Sequence, residues 1–155
     1  GSAWCSIGCG SGFRESLRSC LPPCWPHGRP SPDTIELMRP DLKTLRHLSD
    51  LDRLLEDSAL RPVLLFKHSY ACGTSAEALD ELIAHLDERR RHDTDYAVVT
   101  VQTHREISNA VSAKLGIRHE TPQALLIRDR RVVWSASHFR VPADAVTKAL
   151  ETHLD

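Results

Sequence analysis

Cys72 is the residue best suited to chemistry, and it is the one cysteine outside the first 24 residues. It follows the apolar run 63–66 and precedes an amphipathic segment that begins at Ser75. This order predicts a strand, a short loop and a helix whose N-terminus carries Cys72. Unpaired N–H groups at a helix N-terminus stabilise a thiolate, the form of cysteine that attacks disulfides. An alternative is a buried, inert thiol, although the neighbouring Lys67 and His68 favour a charged sulfur.

Ser75 occupies the position where an enzyme with two active-site thiols carries its second cysteine. No disulfide can form within this motif, so a mixed disulfide on Cys72 must be resolved by a thiol from outside it or from the N-terminal segment. We expect Ser75 to donate a hydrogen bond to the sulfur, to cap the first turn of the helix, or to do both. Cys72 and Ser75 are therefore the predicted catalytic residues.

Helices and strands alternate along the part of the chain that must position Cys72. Apolar residues recur at helical spacing in three segments, 49–58, 75–86 and 107–115, and Pro142 opens a fourth helix. Ser49 and Asp52 form a capping-box-like start to the first of them. Two apolar segments, 63–66 and 96–101, indicate buried strands, and segments 124–127 and 132–134 flank a polar turn as a hairpin.

A β-α-β unit followed by a β-β-α unit, with a reactive residue after the first strand, is the order of the thioredoxin fold. We therefore predict an α/β protein with a central mixed four-stranded sheet flanked by helices. Residues 41–155 form this domain, and segment 42–48 is either a helical turn or a short edge strand. Residues 1–40 are rich in Ser, Gly, Pro and Cys without any period, which predicts a disordered or loosely structured tail.

Composition limits the partners of the chain. The formal net charge is -1, so no global field favours nucleic acid or an anionic membrane. No apolar run approaches the roughly 20 residues that cross a bilayer. The first 30 residues lack the continuous apolar core of a secretion signal, which leads us to expect a cytoplasmic protein. The sequence carries no signal for an oligomeric state.

Pro122 is a second landmark, because it stands immediately before the predicted hairpin. In thioredoxin folds a proline at this place is cis and faces the catalytic cysteine, so the fold analogy predicts a cis Thr121-Pro122 bond. Such a bond would expose the Thr121 backbone to the cysteine-containing end of a substrate. Alternatively, Pro122 merely begins an edge strand.

Five short motifs together give the chain a specific resemblance. They are Phe66-Lys-His-Ser69, Cys72-x-x-Ser75, His119-Glu120, Pro122-Gln123 and Ser137-His138. Over residues 45–150 the chain resembles the monothiol bacilliredoxin family of thioredoxin-like general stress proteins. The resemblance implies an oxidoreductase that removes bacillithiol from protein mixed disulfides with Cys72 as nucleophile, without a bound cofactor or metal. Family members usually have proline after the cysteine, whereas Gly73 here loosens the first helical turn.

Bacillithiol carries carboxylates and a sugar amine, so a site for it, or for a similar low-molecular-weight thiol as co-substrate, should offer local cations. The predicted substrate-binding residues are Lys67, His68, Gly73, Thr74, His119, Thr121, Pro122 and His138. Arg118 is a further candidate cation. Since the chain has nine histidines, each of them is equally well an ordinary surface residue.

Two other functions fit parts of the sequence. Segment 72–75 also resembles the CGFS motif of monothiol glutaredoxins, which carry an iron–sulfur cluster with glutathione. Those proteins usually have a Gly-Gly pair after the hairpin, and segment 135–139 contains no glycine. The second alternative is a non-enzymatic zinc-binding protein, because the N-terminal segment offers four thiols, unless these are incidental to a tail. They belong to Cys5, Cys9, Cys20 and Cys24.

Overall fold

A computed structural model of the protein describes residues 32–138 and 141–154. The helices are α1 (Pro32–Met38), α2 (Leu48–Asp57), α3 (Gly73–Glu88), α4 (Arg105–Leu115) and α5 (Ala143–Leu154). The strands are β1 (Lys43–Thr44), β2 (Val63–His68), β3 (Asp95–Thr100), β4 (Gln123–Arg128) and β5 (Arg131–Ser137). None of the helices in the two described ranges has the length and apolar character needed to cross a membrane.

The sheet has five strands in the order β1-β3-β2-β4-β5. Strand β2 is central, with β3 parallel on one side and β4 antiparallel on the other. Every residue of β2 is buried, as expected of a strand covered on both faces. The predicted four-stranded sheet lacked β1, the edge strand that pairs with β3 within segment 42–48. Two residues are too few to show the period of a strand, which explains why the sequence predicted four strands and the structure has five.

Two apolar layers cover the faces of the sheet. On one face Leu64 and Phe66 of β2 pack with the buried side of α3 and with α5. On the other face Val63 and Leu65 pack with α2 and α4. Alternate residues of β2 therefore face different helices. The loop after α4 leads into Gln123, which pairs with Lys67, so this loop and the loop that precedes α3 meet at the end of β2.

The start of the folded region differs from the predicted boundary at residue 41. Helix α1 lies within the segment expected to be loosely structured, and Ile35 is fully buried in the core. Arg46 bridges Asp33 and Glu36 of this helix. A helix of this length holds a single core residue, which produces no recognisable period in the sequence. The rest of the predicted tail, residues 1–31, lies outside the described residues.

Individual residues determine where α2 begins and how the chain turns between β4 and β5. Helix α2 begins before the predicted cap at Ser49, because the Asp50 carboxylate accepts hydrogen bonds from the N–H groups of Arg46 and His47. The turn of the β4–β5 hairpin consists of Asp129 and Arg130, both with positive φ. That geometry matches the twist of paired strands.

Candidate functional site

Cys72 is a free, partly exposed cysteine at the N-cap position of α3. Its carbonyl oxygen accepts hydrogen bonds from the N–H groups of Ser75 and Ala76, both at 3.2 Å, which begins the helix. Its own N–H donates to the Ser69 carbonyl at 3.4 Å. The backbone thus fixes the sulfur-bearing residue at the N-terminus of a 16-residue helix. The site offers an accessible thiol at the N-terminus of a helix.

Ser75 is fully buried and connects α3 to the end of β2. Its Oγ accepts a hydrogen bond from the N–H of Ser69 at 2.8 Å and lies 3.1 Å from Nδ1 of His68. These partners differ from the capping role that the sequence suggested, because the hydroxyl bonds the preceding loop rather than the first helical turn. Ser75 therefore holds the loop that carries Cys72 against the strand.

A further contact fixes this loop from the β3 side. The side-chain amide of Gln102 donates a hydrogen bond to Oγ of Ser69. Neither residue was among the candidates from the sequence, since both stand in irregular segments that show no periodicity. The loop is consequently held at Ser69 by Ser75 and by Gln102.

The Thr121-Pro122 peptide bond is cis, as predicted. Lys67 of β2 pairs with Gln123 of β4, so Pro122 lies beside the end of β2, from which the loop to Cys72 departs. The carbonyl oxygen of Pro122 accepts a hydrogen bond from the N–H of His138 at 3.0 Å. His138 has a φ of 56°, a left-handed conformation at the end of β5. That Pro122 faces the sulfur directly stays a prediction.

Lys67 and His119 form a close pair behind this proline. Lys67 is fully buried, and its Nζ lies 2.9 Å from Nδ1 of the exposed His119 and 3.2 Å from Oγ of Ser112. Burial lowers the pKa of Lys67 to about 8, against the opposing effect of the Glu120 carboxylate. Loss of solvation lowers the pKa of His119, and the charges of Lys67 and Arg105 lower it further. The pair favours a charged lysine beside a neutral imidazole.

Two of the predicted substrate-binding residues lie beneath the surface. The side chains of Lys67 and His68 are fully buried in β2, on opposite faces of the sheet. Direct contact with a bound thiol, as the sequence suggested, does not fit this burial. Their partners are His119 in the loop after α4 and Ser75 in the first turn of α3, so Lys67 and His68 support the site from within.

The other predicted binding residues lie at or near the surface. Gly73 is the exposed first residue of α3, Thr121 is half-buried, and Pro122 is buried. Thr74 and His138 line a cavity of about 170 Å³ between α3 and the segment that leads into α5. Its remaining lining consists of Glu77, Ala78, Glu81, Val141 and Pro142. Glu77 and Glu81 were missed, because four-residue spacing on a helix also marks an ordinary solvated face.

Ser108 and Ser112 of α4 are the other site residues that the sequence did not single out. Ser108 is fully buried, and its Oγ lies 3.4 Å from Nδ1 of His119. Both serines occur beside the apolar positions Ile107 and Val111 of the same helix. A polar pair at four-residue spacing on a buried helix face was the available signal. Within residues 32–138 and 141–154, no group of three or more His, Cys, Asp or Glu side chains could hold a metal ion.

Known proteins resemble the chain in sequence and in structure. A family model described as "Monothiol bacilliredoxin BrxC" matches residues 43–146. A candidate oxidoreductase with a thioredoxin fold is 27% identical, with a TM-score of 0.63 over 72% of this chain and 95% of the other. Fasciola hepatica thioredoxin is 18% identical, with a TM-score of 0.59 over 72% and 99%. A thioredoxin variant from Halobacterium salinarum is 21% identical, with a TM-score of 0.57 over 83% and 97%.

The family match covers the strands and helices from β1 into α5, including the loop of Cys72 and the Thr121-Pro122 bond. The structural neighbours share the thioredoxin fold that the element order predicted. This protein is a thiol oxidoreductase with a thioredoxin fold and belongs to the monothiol bacilliredoxin family.

Proposed function

We propose that this protein removes a low-molecular-weight thiol, bacillithiol, from protein mixed disulfides through Cys72. The observation that carries the proposal is a partly exposed free thiol at the N-cap of α3 in a chain of the bacilliredoxin family. Ser75 stands where a second thiol would be needed for a dithiol reaction. Cys72 and Ser75 are the proposed catalytic residues.

The reaction is a pair of thiol–disulfide exchanges. The Cys72 thiolate attacks the bacillithiol sulfur of the mixed disulfide, which forms one S–S bond and breaks another. The protein substrate leaves as a thiolate and takes a proton from solvent. A second bacillithiol thiolate then attacks the adduct, which releases bacillithiol disulfide and restores Cys72. The target protein thiol is restored, one free bacillithiol is oxidised, and the two bacillithiol molecules leave joined as a disulfide.

The proposed substrate contacts come from both sides of Cys72. The Thr121 backbone would pair with the extended chain beside the substrate disulfide, as a strand pairs with a sheet edge. Gly73, Thr74, His119 and His138 are exposed or half-buried around the same end of the sheet and would contact the bound thiol. His119 and His138 supply hydrogen-bond donors for its carboxylates.

A Cys72→Ser variant tests the proposal. We expect it to keep the fold and to lose all exchange, because serine is similar in size and the residue stands at a helix entry. The measurement is release of bacillithiol from a bacillithiolated reporter protein, together with the intact mass after exposure to oxidised bacillithiol. The native protein should gain one adduct that maps to Cys72. Exchange that persists in Cys72→Ser would move the chemistry to Cys5, Cys9, Cys20 or Cys24.

The same preparations test the two alternatives. A visible absorbance band in anaerobically purified protein would support an iron–sulfur cluster carrier. Equilibrium zinc binding by the full chain that is lost when the four N-terminal cysteines are replaced would support a zinc-binding protein. Colourless protein that releases bacillithiol from the reporter supports the oxidoreductase.

A further inference from the structure

Lys67 is the only completely buried lysine among the described residues, and its neighbours on this face of the sheet are apolar apart from Gln123, its pair on β4. Leu65 and Leu125 occupy neighbouring positions on this face. A buried ammonium group is costly unless it has partners, and an apolar side chain of similar volume would avoid that cost. Stability alone therefore does not account for lysine at position 67.

The partners of Lys67 belong to a single region, the end of α4 and the loop 116–122 that follows it. Its Nζ lies 2.9 Å from Nδ1 of His119 in this loop and 3.2 Å from Oγ of Ser112 in α4. Further contacts also hold the loop: Oγ of Ser108 lies 3.4 Å from Nδ1 of His119, and the Ile117 N–H donates to the Ser112 carbonyl at 3.1 Å. The side-chain amide of Gln123 donates to the Arg118 carbonyl at 3.1 Å, and the Pro122 carbonyl accepts from His138. The Lys67 contact reaches the loop through a charged side chain.

The chemistry of the pair defines the state of His119. An ammonium group can only donate, so the Nδ1 atom that it contacts must be an acceptor. The imidazole is then neutral, with its proton on Nε2. Two charged groups outside the pair act on it. Glu120 of the loop attracts Lys67, and Arg105 of α4 disfavours a protonated His119, as Lys67 itself does. The contact is strongest where Lys67 is charged and His119 is neutral.

We propose that Lys67 is a positioning residue that holds loop 116–122 through His119, so that the loop presents the Thr121 backbone to a protein substrate. The inference rests on the proposed function. Thr121 is two residues from His119, and its peptide bond to Pro122 lies beside the end of β2. A loop fixed at His119 lowers the entropy lost when an extended substrate pairs with it. Small disulfides have no extended chain to pair with the loop, so fixing the loop does not improve their binding.

The test compares Lys67→Met with the native protein on two probes. The first is a bacillithiolated reporter protein with bacillithiol as resolving thiol, and the second is bis(2-hydroxyethyl) disulfide. Loss of one charged hydrogen bond should raise KM for the reporter about three- to tenfold with little change in kcat. The rate with the small disulfide should be unchanged. Equal KM values for native protein and Lys67→Met at pH 7 would overturn the proposal.

The pH dependence separates a positioning role from a merely structural one. Any effect of the substitution on Cys72 itself acts on both probes, so we divide the native-to-variant ratio of kcat/KM for the reporter by the same ratio for the small disulfide. We expect this quotient to be largest near neutral pH. It should fall toward 1 above about pH 8, where Lys67 loses its charge, and also in acid, where His119 becomes protonated. A quotient that is constant from pH 6 to pH 10 contradicts the proposal.

Two further variants guard against misfolding of Lys67→Met. His119→Ala removes the acceptor from an exposed loop position without touching the core, and it should raise KM at least as much, because it also removes the proposed contact with bacillithiol. The double variant should be no worse than His119→Ala alone, because both substitutions remove the same contact between Lys67 and His119. Lys114→Met is the matched control, since it removes an exposed lysine of α4 whose partner is Asp52. Lys114→Met should change neither KM for the reporter nor the rate with the small disulfide.

A spectroscopic measurement keeps this inference separate from the proposed function. Nitrogen-15 NMR should show the Nε2–H tautomer of His119 in the native protein and a tautomer mixture in Lys67→Met. Amide exchange in residues 117–121 should become faster in the variant. If the native protein releases no bacillithiol, the proposed function fails, and these spectra still decide whether Lys67 holds the loop. Unchanged spectra overturn the inference whatever the activity.

Discussion

Cys72 occupies the N-cap of α3 without a side-chain hydrogen bond to the helix. Ser, Thr, Asp and Asn usually stand at this position, because their oxygen atoms accept hydrogen bonds from the first turn. With cysteine there, the N–H groups of the first turn remain able to stabilise a thiolate. A stabilising cap is therefore absent at the residue where the proposed chemistry needs a reactive sulfur.

At the same scale, Ser75→Cys should convert the proposed monothiol reaction into a dithiol one. The new thiol would stand one helical turn from Cys72 and close to Nδ1 of His68, which can accept its proton. Attack on the Cys72 adduct becomes unimolecular, with an effective thiol concentration in the millimolar range or above. The adduct formed with oxidised bacillithiol should therefore be short-lived in the variant.

Intact-mass measurements over time test this, in proteins whose four N-terminal cysteines are replaced by serine. Ser75→Ala is the matched control, because it removes the same hydroxyl without adding a thiol, and its adduct should persist as in the parent. An adduct that survives equally in Ser75→Cys would show that the side chains at positions 72 and 75 do not converge.

At the scale of the element, the entry into loop 116–122 depends on how α4 ends. Gly116 adopts a left-handed conformation with a φ of 63°, and its N–H donates to the Ser112 carbonyl. No heavy atom lies within 4 Å of a Cβ added there, so a substitution meets conformational strain alone. The direction in which the chain leaves α4 toward His119 thus requires a left-handed residue.

Gly116→Ala should destabilise the protein by about 1 kcal/mol, the usual cost of placing an L side chain in the left-handed region. Urea unfolding curves measure this loss. Gly116→Asn should cost less, because asparagine tolerates that conformation better. A Gly116→Ala protein as stable as the native one would mean that α4 ends in another way.

At the scale of the whole molecule, Lys67 links stability to pH. The pKa of Lys67 is about 8 in the folded protein against 10.5 for an unperturbed lysine. Between these values the unfolded chain binds the extra proton and the native state does not, so the contribution of Lys67 to stability rises with pH. Below pH 8 both states are protonated, and the native state bears the full cost of the buried charge.

Relative to Lys67→Met, the native protein should therefore gain about 2 kcal/mol in unfolding free energy between pH 7 and pH 10. Urea unfolding of both proteins at the two pH values measures the difference, from which the titration of groups that Lys67 does not influence cancels. Lys114→Met, which removes an exposed lysine, should show no such change relative to the native protein. A constant difference between native protein and Lys67→Met would show that Lys67 stays charged.

The sequence by itself determined the order of the elements, the position of Cys72 at a helix entry and the fold class. Apolar runs such as 63–66 and the helical spacing of α3 are local signals, because burial of one face requires them wherever the element packs. The cis Thr121-Pro122 bond followed from the fold once that order was recognised. Helix α1 was not recognised from sequence, and β1 only as one of two alternatives for segment 42–48, since both elements contain too few residues to show a period.

Only the tertiary structure decided what the polar residues of the site do. A strand period of two places Lys67 and His68 on opposite faces, but it does not show that both faces are covered at the end of β2. The partner of Lys67, His119, is distant in the chain, and Ser75 meets Ser69 only because the loop between them folds back. Contacts between segments far apart in sequence arise from packing of the whole domain, so local pattern cannot encode them.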